Sequence, residues 1–130
     1  MIEPTPECDA VARQIVDSAF AVHRSLGPGL LESVYEQCLG CELTARGVVV
    51  ERQVAVPVVY RNMRIDAGFR MDMVVGGLVV VEIKAVEGLL PIHHAQILTY
   101  LKLAGYRLGL LINFNVPLLK SGIRRVIRSP

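Results

Sequence analysis

Phe69-Arg70-Met71-Asp72-Met73-Val74-Val75-Gly76-Gly77-Leu78-Val79-Val80-Val81-Glu82-Ile83-Lys84 decides how the rest of the chain is read. Two apolar segments of strand length meet at a Gly-Gly pair, and charged residues stand where a buried sheet should carry none. Side chains alternate along a strand. Ala67, Phe69, Met71, Met73 and Val75 are therefore expected on one face, with Asp66, Gly68, Arg70 and Asp72 on the other. In the second segment Leu78, Val80, Glu82 and Lys84 share a face. Leu78 to Val81 is apolar on both faces, as in a strand buried on both sides. Glu82 and Lys84 thus end a buried strand close to Asp72, and in the free protein the Lys84 ammonium is expected to pair with Glu82, Asp72 or both.

Two carboxylates and a lysine at a strand end have a chemical use. Mg²⁺ takes an octahedral oxygen shell, commonly one or two carboxylates with several waters. An ion held this way lowers the pKa of its water and shields a phosphate oxygen. A nearby lysine orients water or stabilises charge in the transition state. The competing reading is a solvated sheet edge with a Glu-Lys pair. Parity separates them. A two-residue loop at Gly76-Gly77 would pair Val75 with Leu78 and set Asp72 opposite Val81. Opposed residues share a face, so Asp72 and Glu82 would then point to opposite sides. A shared ion needs an odd loop. The sequence predicts a three-residue turn with a left-handed glycine forming a bulge.

Working outward, 130 residues with 52% hydrophobic content suit one domain, residues 1–130, with a real core. No apolar run approaches the ~18 residues of a membrane-spanning helix, so no membrane partner is expected. The acidic start, with Glu7 and Asp9, lacks a signal-peptide pattern. Three cysteines, Cys8, Cys38 and Cys41, cannot all pair within one chain, and a reduced, cytoplasmic protein is expected. Cys38 and Cys41 read as helical packing residues. All 12 acidic residues lie at or before Glu87, whereas Lys102, Arg107, Lys120, Arg124, Arg125 and Arg128 follow it. A basic C-terminal third suits a polyanion such as nucleic acid; a solubilising surface is the alternative.

Thr5-Pro6 opens a helix over residues 6–24, with Val11, Ile15, Ala19, Val22 and Leu26 as its buried stripe and Gly27-Pro28-Gly29 as its stop. His23 reads as a packing or capping residue. A second helix over residues 30–46 carries Glu32, Tyr35, Glu36, Leu39 and Leu43 along one side. Glu32 there is either an acid favoured by the helix dipole or a carboxylate needing a cationic partner. Residues 48–60 are β-rich, and Pro57, lacking an N–H, makes this an edge strand. A third helix over residues 91–103 places His93, Gln96 and Tyr100 on one face, where Gln96 and Tyr100 could orient a water or grip a phosphate. Residues 106–114 read as a central strand and 123–127 as a short final one.

The order helix, helix, three strands, helix, strand, strand resembles the PD-(D/E)xK nuclease superfamily. More closely, the chain is similar to the small GxxExxY proteins of that superfamily. The matching stretches are Gly29-Leu30-Leu31-Glu32-Ser33-Val34-Tyr35, Arg70-Met71-Asp72, Val81-Glu82-Ile83-Lys84-Ala85, Gln96-Ile97-Leu98-Thr99-Tyr100-Leu101 and Gly109-Leu110-Leu111-Ile112-Asn113-Phe114-Asn115. The resemblance implies an α/β, restriction-endonuclease-like core: a central mixed sheet of four to five strands flanked by helices. It implies Asp72 and Glu82 as ligands of Mg²⁺ or Mn²⁺, Lys84 as the catalytic lysine, and Glu32 as the helical acid completing the site. Gln96 and Tyr100 resemble the helix motif of RecB-like nucleases. Met71 stands where the superfamily's proline precedes the aspartate, at a position that varies among its members.

Two functions follow. One is a Mg²⁺-dependent nuclease acting on DNA rather than RNA, with Arg70, Lys120, Arg124 and Arg125 contacting the phosphate backbone. The other is a non-catalytic nucleic-acid-binding or assembly module on a nuclease scaffold. In that second reading a partner or a homodimer would supply specificity, because a domain of this size lacks room for a separate recognition unit.

Overall fold

The computed structural model describes residues 4–129. Helix α1 spans Pro6–Leu26. It begins where the Thr5 hydroxyl accepts the Cys8 N–H at 3.2 Å and ends at Gly27, with φ 70°. Cys8, Ala12, Ile15, Ala19 and Val22 form its buried stripe. Leu26, expected in that stripe, is 40% exposed because the helix stops there. Helix α2, Glu32–Ala45, packs on α1. Its Tyr35 is wholly buried: the hydroxyl donates to Gly27 O at 2.6 Å, accepts from Leu30 N–H at 3.1 Å, and the ring stacks on Phe114. One tyrosine thus ties the α1–α2 loop to the end of the sheet and fixes the start of α2.

Five strands follow: β1 Val50–Tyr60, β2 Met63–Val75, β3 Val79–Lys84, β4 Leu108–Asn113 and β5 Ile123–Ile127. Their order across the sheet is their order in the chain. Pairing is antiparallel except between β3 and β4, which are parallel and joined through helix α3, Pro91–Ala104. β1 is the edge that Pro57 requires. Helices α1 and α2 cover one face, over Met73, Val75, Val79, Val81, Ile83, Leu108, Leu110 and Ile112. Helix α3 covers the other, burying Ile97 and Leu101 on Val74, Val80, Leu111 and Val126. Gly109 lets α3 approach closely: a Cβ there would lie 2.8 Å from Ile97 Cδ1. The layering is the expected mixed sheet flanked by helices.

The β2–β3 turn is odd. Val75 pairs with Val79, leaving Gly76, Gly77 and Leu78 as the loop. Both glycines are left-handed, at φ 60° and 67°, a conformation that a Cβ disfavours. Continued one step beyond Met73↔Val81, this register sets Asp72 opposite Glu82.

One expectation fails along β2. Met73 and Val75 face α1 and α2, but Met71 and Phe69 pack on the α3 side with Val74. Alternation slips by one residue at Asp72. The cause lies on the neighbouring strand, where Gln53 takes φ 51° between the pairs Arg52↔Met73 and Val54↔Met71. The register stays one-for-one here, with Gln53 opposite Asp72, and the left-handed backbone at Gln53 turns the side chains beyond it to the other face. Asp72 sits at that pivot.

Beyond Ala55 and Arg70, which are mutual partners, β1 and β2 outrun β3. They continue as a two-stranded arm past the Lys84 end of the sheet, turning at Arg61-Asn62. Every residue from 59 to 68 is exposed.

Candidate active site

At the end of the β2–β3 ladder, side chains replace the backbone bonds. The Asp72 N–H donates to Glu82 Oε2 at 2.7 Å, and the Ile83 N–H donates to Asp72 Oδ2 at 2.8 Å. The two strands fork around a reciprocal pair of carboxylates. Glu82 is 4% exposed. Burial, then the Asp72 charge beside it, pushes its carboxyl up to about 8. Burial likewise raises Asp72, offset in part by the Ile83 N–H. Two juxtaposed buried acids that resist ionising together are what a cation would relieve.

The donor set fits a hard divalent ion. Among the described residues, neither Asp72 Oδ1 nor Glu82 Oε1 has a hydrogen-bond donor. No group of three His, Cys, Asp or Glu side chains comes together as a metal-binding cluster among those residues. Two carboxylates suffice for Mg²⁺, which keeps waters in its remaining positions.

Lys84, at the end of β3, does not pair with either carboxylate as its position suggested. Its ammonium donates to Gln96 Oε1 at 3.2 Å, and its charge lowers the pKa of both acids from a distance. The Tyr100 phenol, one turn along the helix from Gln96, is pushed up by burial and then by the Glu82 and Asp72 charges, with Gln96 pulling the other way. Tyr100 is held flat against Phe69, with ring centroids 4.4 Å apart. α3 therefore brings Gln96 and Tyr100 to the fork as the helical spacing required. His93 turns elsewhere: its Nδ1 accepts the Leu90 N–H at 2.9 Å and caps the helix. His23, likewise structural, contacts Val116 O at 2.8 Å.

A family model described as the PD-(D/E)XK nuclease superfamily matches residues 9–126, which include the fork and both elements that close it. The chain belongs to the PD-(D/E)XK nuclease superfamily. Members of that superfamily generally use divalent metal ions. The crystal structure of SSO0001 is similar in fold, with a TM-score of 0.58 at 17% identity. The match covers 96% of this chain and 63% of that protein, so the chain spans under two thirds of its length. None of the curated proteins matches the chain. Among the described residues no helix is long and apolar enough to cross a membrane.

The remaining expected residues of this PD-(D/E)XK chain are scattered. Glu32 is exposed at the start of α2, near enough for its charge to raise Asp72. Arg70 donates to Gln53 O at 3.3 Å, on the strained residue opposite Asp72. Arg124 and Arg125, adjacent on β5, point to opposite faces. Arg125 is paired with Asp9 of α1 at 2.8 Å, whereas Arg124 stands across from Leu111, itself the partner of Glu82. Lys120 lies on the α1 side in an open groove of about 850 Å³ with Phe20 and Arg24, which holds none of the fork residues. The basic third is thus not one continuous surface. The three cysteines are free, as expected, though Cys41 is exposed rather than packed.

Glu36 was on the α2 stripe in sequence without a role assigned. It is 6% exposed, accepts from Arg52 Nε at 2.9 Å and from Gln53 Nε2 at 2.8 Å, and its charge raises both site acids. A carboxylate between Tyr35 and Leu39 on an apolar stripe was the available signal.

A pH effect follows with a definite sign. A carboxyl whose pKa rises on folding binds more protons folded than unfolded, so it favours the fold at low pH. For Glu82 the contribution is fully present below about 4.5 and is lost as pH rises through about 8. In chelator, the thermal midpoint should fall across that window, Glu82→Gln should flatten the fall, and Mg²⁺ should offset it. A wild-type midpoint that is flat or rises from pH 5 to 8 in chelator would refute the buried acid pair.

Proposed function

We propose that this protein is a Mg²⁺- or Mn²⁺-dependent nuclease hydrolysing DNA phosphodiesters. The observation that carries this is the fork, in which Asp72 and Glu82 each accept an amide of the facing strand through one oxygen, with Lys84 bonded to Gln96 beside them and Tyr100 near enough to feel both charges. Asp72 Oδ1 and Glu82 Oε1 would hold the ion, and when bound it supplies an acidic water and neutralises phosphate charge. Gln96 sets the position of the Lys84 ammonium, which faces developing negative charge or orients the attacking water. Tyr100 offers a hydroxyl to a phosphate oxygen. Arg124, on the α3 face in the row of Glu82 and Leu111, suits the backbone on one side. Arg70 suits it on the other. Arg125, already paired with Asp9, and Lys120, on the α1 side, would engage more distant phosphates.

The test is cleavage of a panel of DNA and RNA forms with Mg²⁺ or Mn²⁺, wild type beside Lys84→Ala. Cleavage of DNA that the substitution lowers by about 10²-fold or more is expected. No cleavage of any substrate would sink the reading and favour a binding module that keeps the ion network for structure.

Glu32 has a narrower test. As the helical acid of a GxxExxY site it would hold a metal-bound water, and such outer contacts are worth about 10–100-fold. Glu32→Gln should lower cleavage by that order and shift the Mg²⁺ titration to higher concentration. If neither moves, Glu32 is a helix N-terminal acid and leaves the site.

A further inference from the structure

The geometry points to the β1–β2 arm as a ribbon that enters the major groove of B-form DNA while the fork holds a phosphate; this rests on the nuclease reading and names its substrate form. The arm starts where the sheet's catalytic end stops. Arg70 is level with Lys84 in the extended register, and β2 continues from it to Met63. β2 spends two surplus residues in a bulge between Phe69 and Ile65, and β1 covers the same stretch in the five steps from Ala55 to Tyr60, which at about 3.4 Å each carry the tip roughly 17 Å beyond Arg70. Nothing else of the described chain covers residues 59–68, all of which are exposed. A freestanding two-stranded hairpin is marginal in water, so a ribbon of this length calls for an occupant on its flank.

The tip has an unusual composition. Arg61 turns the hairpin at φ 54°, where glycine or asparagine is ordinarily favoured. Its guanidinium lies 5.8 Å from the centroid of the Tyr60 ring. A bulky residue kept in a left-handed turn at the expense of stability points to a use for its side chain. Arg61, Arg64 and Arg70 lie along the arm against one acid, Asp66, which Arg64 neutralises at 2.8 Å. On the other face the cross-strand pairs Tyr60↔Met63 and Val58↔Ile65 make an apolar strip, with Tyr60 63% and Met63 56% exposed. Arginines suit phosphates and guanine edges, and apolar side chains suit thymine methyls.

The shape selects the duplex. The B-DNA major groove, about 12 Å wide, admits a two-stranded ribbon. The A-form major groove of double-stranded RNA is too deep and narrow for side chains to read. A second copy of this chain is the other class of occupant. Its interface would need about 20–30 residues a side, far more than the four apolar side chains here.

The experiment compares Arg61→Gly/Arg64→Ala with the unaltered arm, both in a Lys84→Ala background, binding a fluorescently labelled DNA duplex with Mg²⁺ over a range of salt. Cleavage by the two Lys84-containing proteins is measured in parallel. Glycine suits the turn, so the thermal midpoint should hold or rise. Binding should weaken, and its log–log salt slope should fall by ~1.8, at ~0.9 per lost phosphate contact. The preference for duplex DNA over duplex RNA should shrink. Unchanged binding and slope with cleavage intact would overturn the arm's role and leave the nuclease reading standing. Weakened binding with no cleavage by any protein would support the arm and reject the nuclease. A dimer that becomes monomeric with DNA binding unchanged would make the arm an interface between copies and overturn the proposal.

Discussion

Lys84→Ala should lower cleavage by about 10²-fold or more while leaving the fold and metal affinity nearly intact. The ammonium donates one bond, to Gln96 Oε1 at 3.2 Å, and supports no buried carboxylate directly. The fold therefore loses little. Its effect on metal has two parts that oppose each other. Without the positive charge, Asp72 and Glu82 hold their protons harder, yet an incoming cation no longer meets a like charge. What remains is the loss of a fixed charge beside the scissile phosphate. Thermal midpoints with and without Mg²⁺ and single-turnover cleavage check all three. Equal cleavage by wild type and variant would remove Lys84 from the chemistry.

Asp72→Asn should go further, with activity down by about 10³-fold, the upper range for one electrostatic group, and the Mg²⁺-induced rise in thermal midpoint lost. Asparagine is the informative choice. Its carbonyl can still accept the Ile83 N–H that Asp72 Oδ2 now takes, so the fork stays closed. Burial still raises the Glu82 carboxyl, but the Asp72 charge that adds to that rise disappears. In chelator at pH 8 the variant should therefore be more stable than wild type, while dead as an enzyme. Lower stability together with normal Mg²⁺ binding would mean that Asp72 is structural and the ion sits elsewhere.

Much of this site was legible because β structure has a strict period. The requirement that Asp72 and Glu82 share an ion dictated an odd loop, and Gly76-Gly77-Leu78 is one. Gln96 and Tyr100 followed from helical spacing directly after a Glu-x-Lys strand, together with the resemblance to the RecB-like helix. The slip at Asp72 was not legible, because its cause is a left-handed Gln53 on another strand. Nothing in that residue's type announces the conformation. Lys84 was expected on a carboxylate and found on Gln96, a choice made by the α3 position rather than by neighbours in sequence. Arg125 had no acid near it in the chain, yet Asp9, 116 residues away, neutralises it across the sheet's edge. Contacts of that range are set by topology, which residue patterns constrain and do not specify.

The reciprocal bonds at the fork alter what the persistence of a motif can mean. Asp72 and Glu82 each stand in for a backbone carbonyl, accepting amides that the strands could not otherwise satisfy once they part. Stranding a buried amide costs on the order of 1–3 kcal/mol, so drift to alanine at either position would be opposed by folding even in a lineage with no substrate left to cut. Retained acids in this chain are thus a signature of architecture as much as of chemistry. Lys84 carries no such structural duty, which makes that position the one where an inactive descendant would first declare itself.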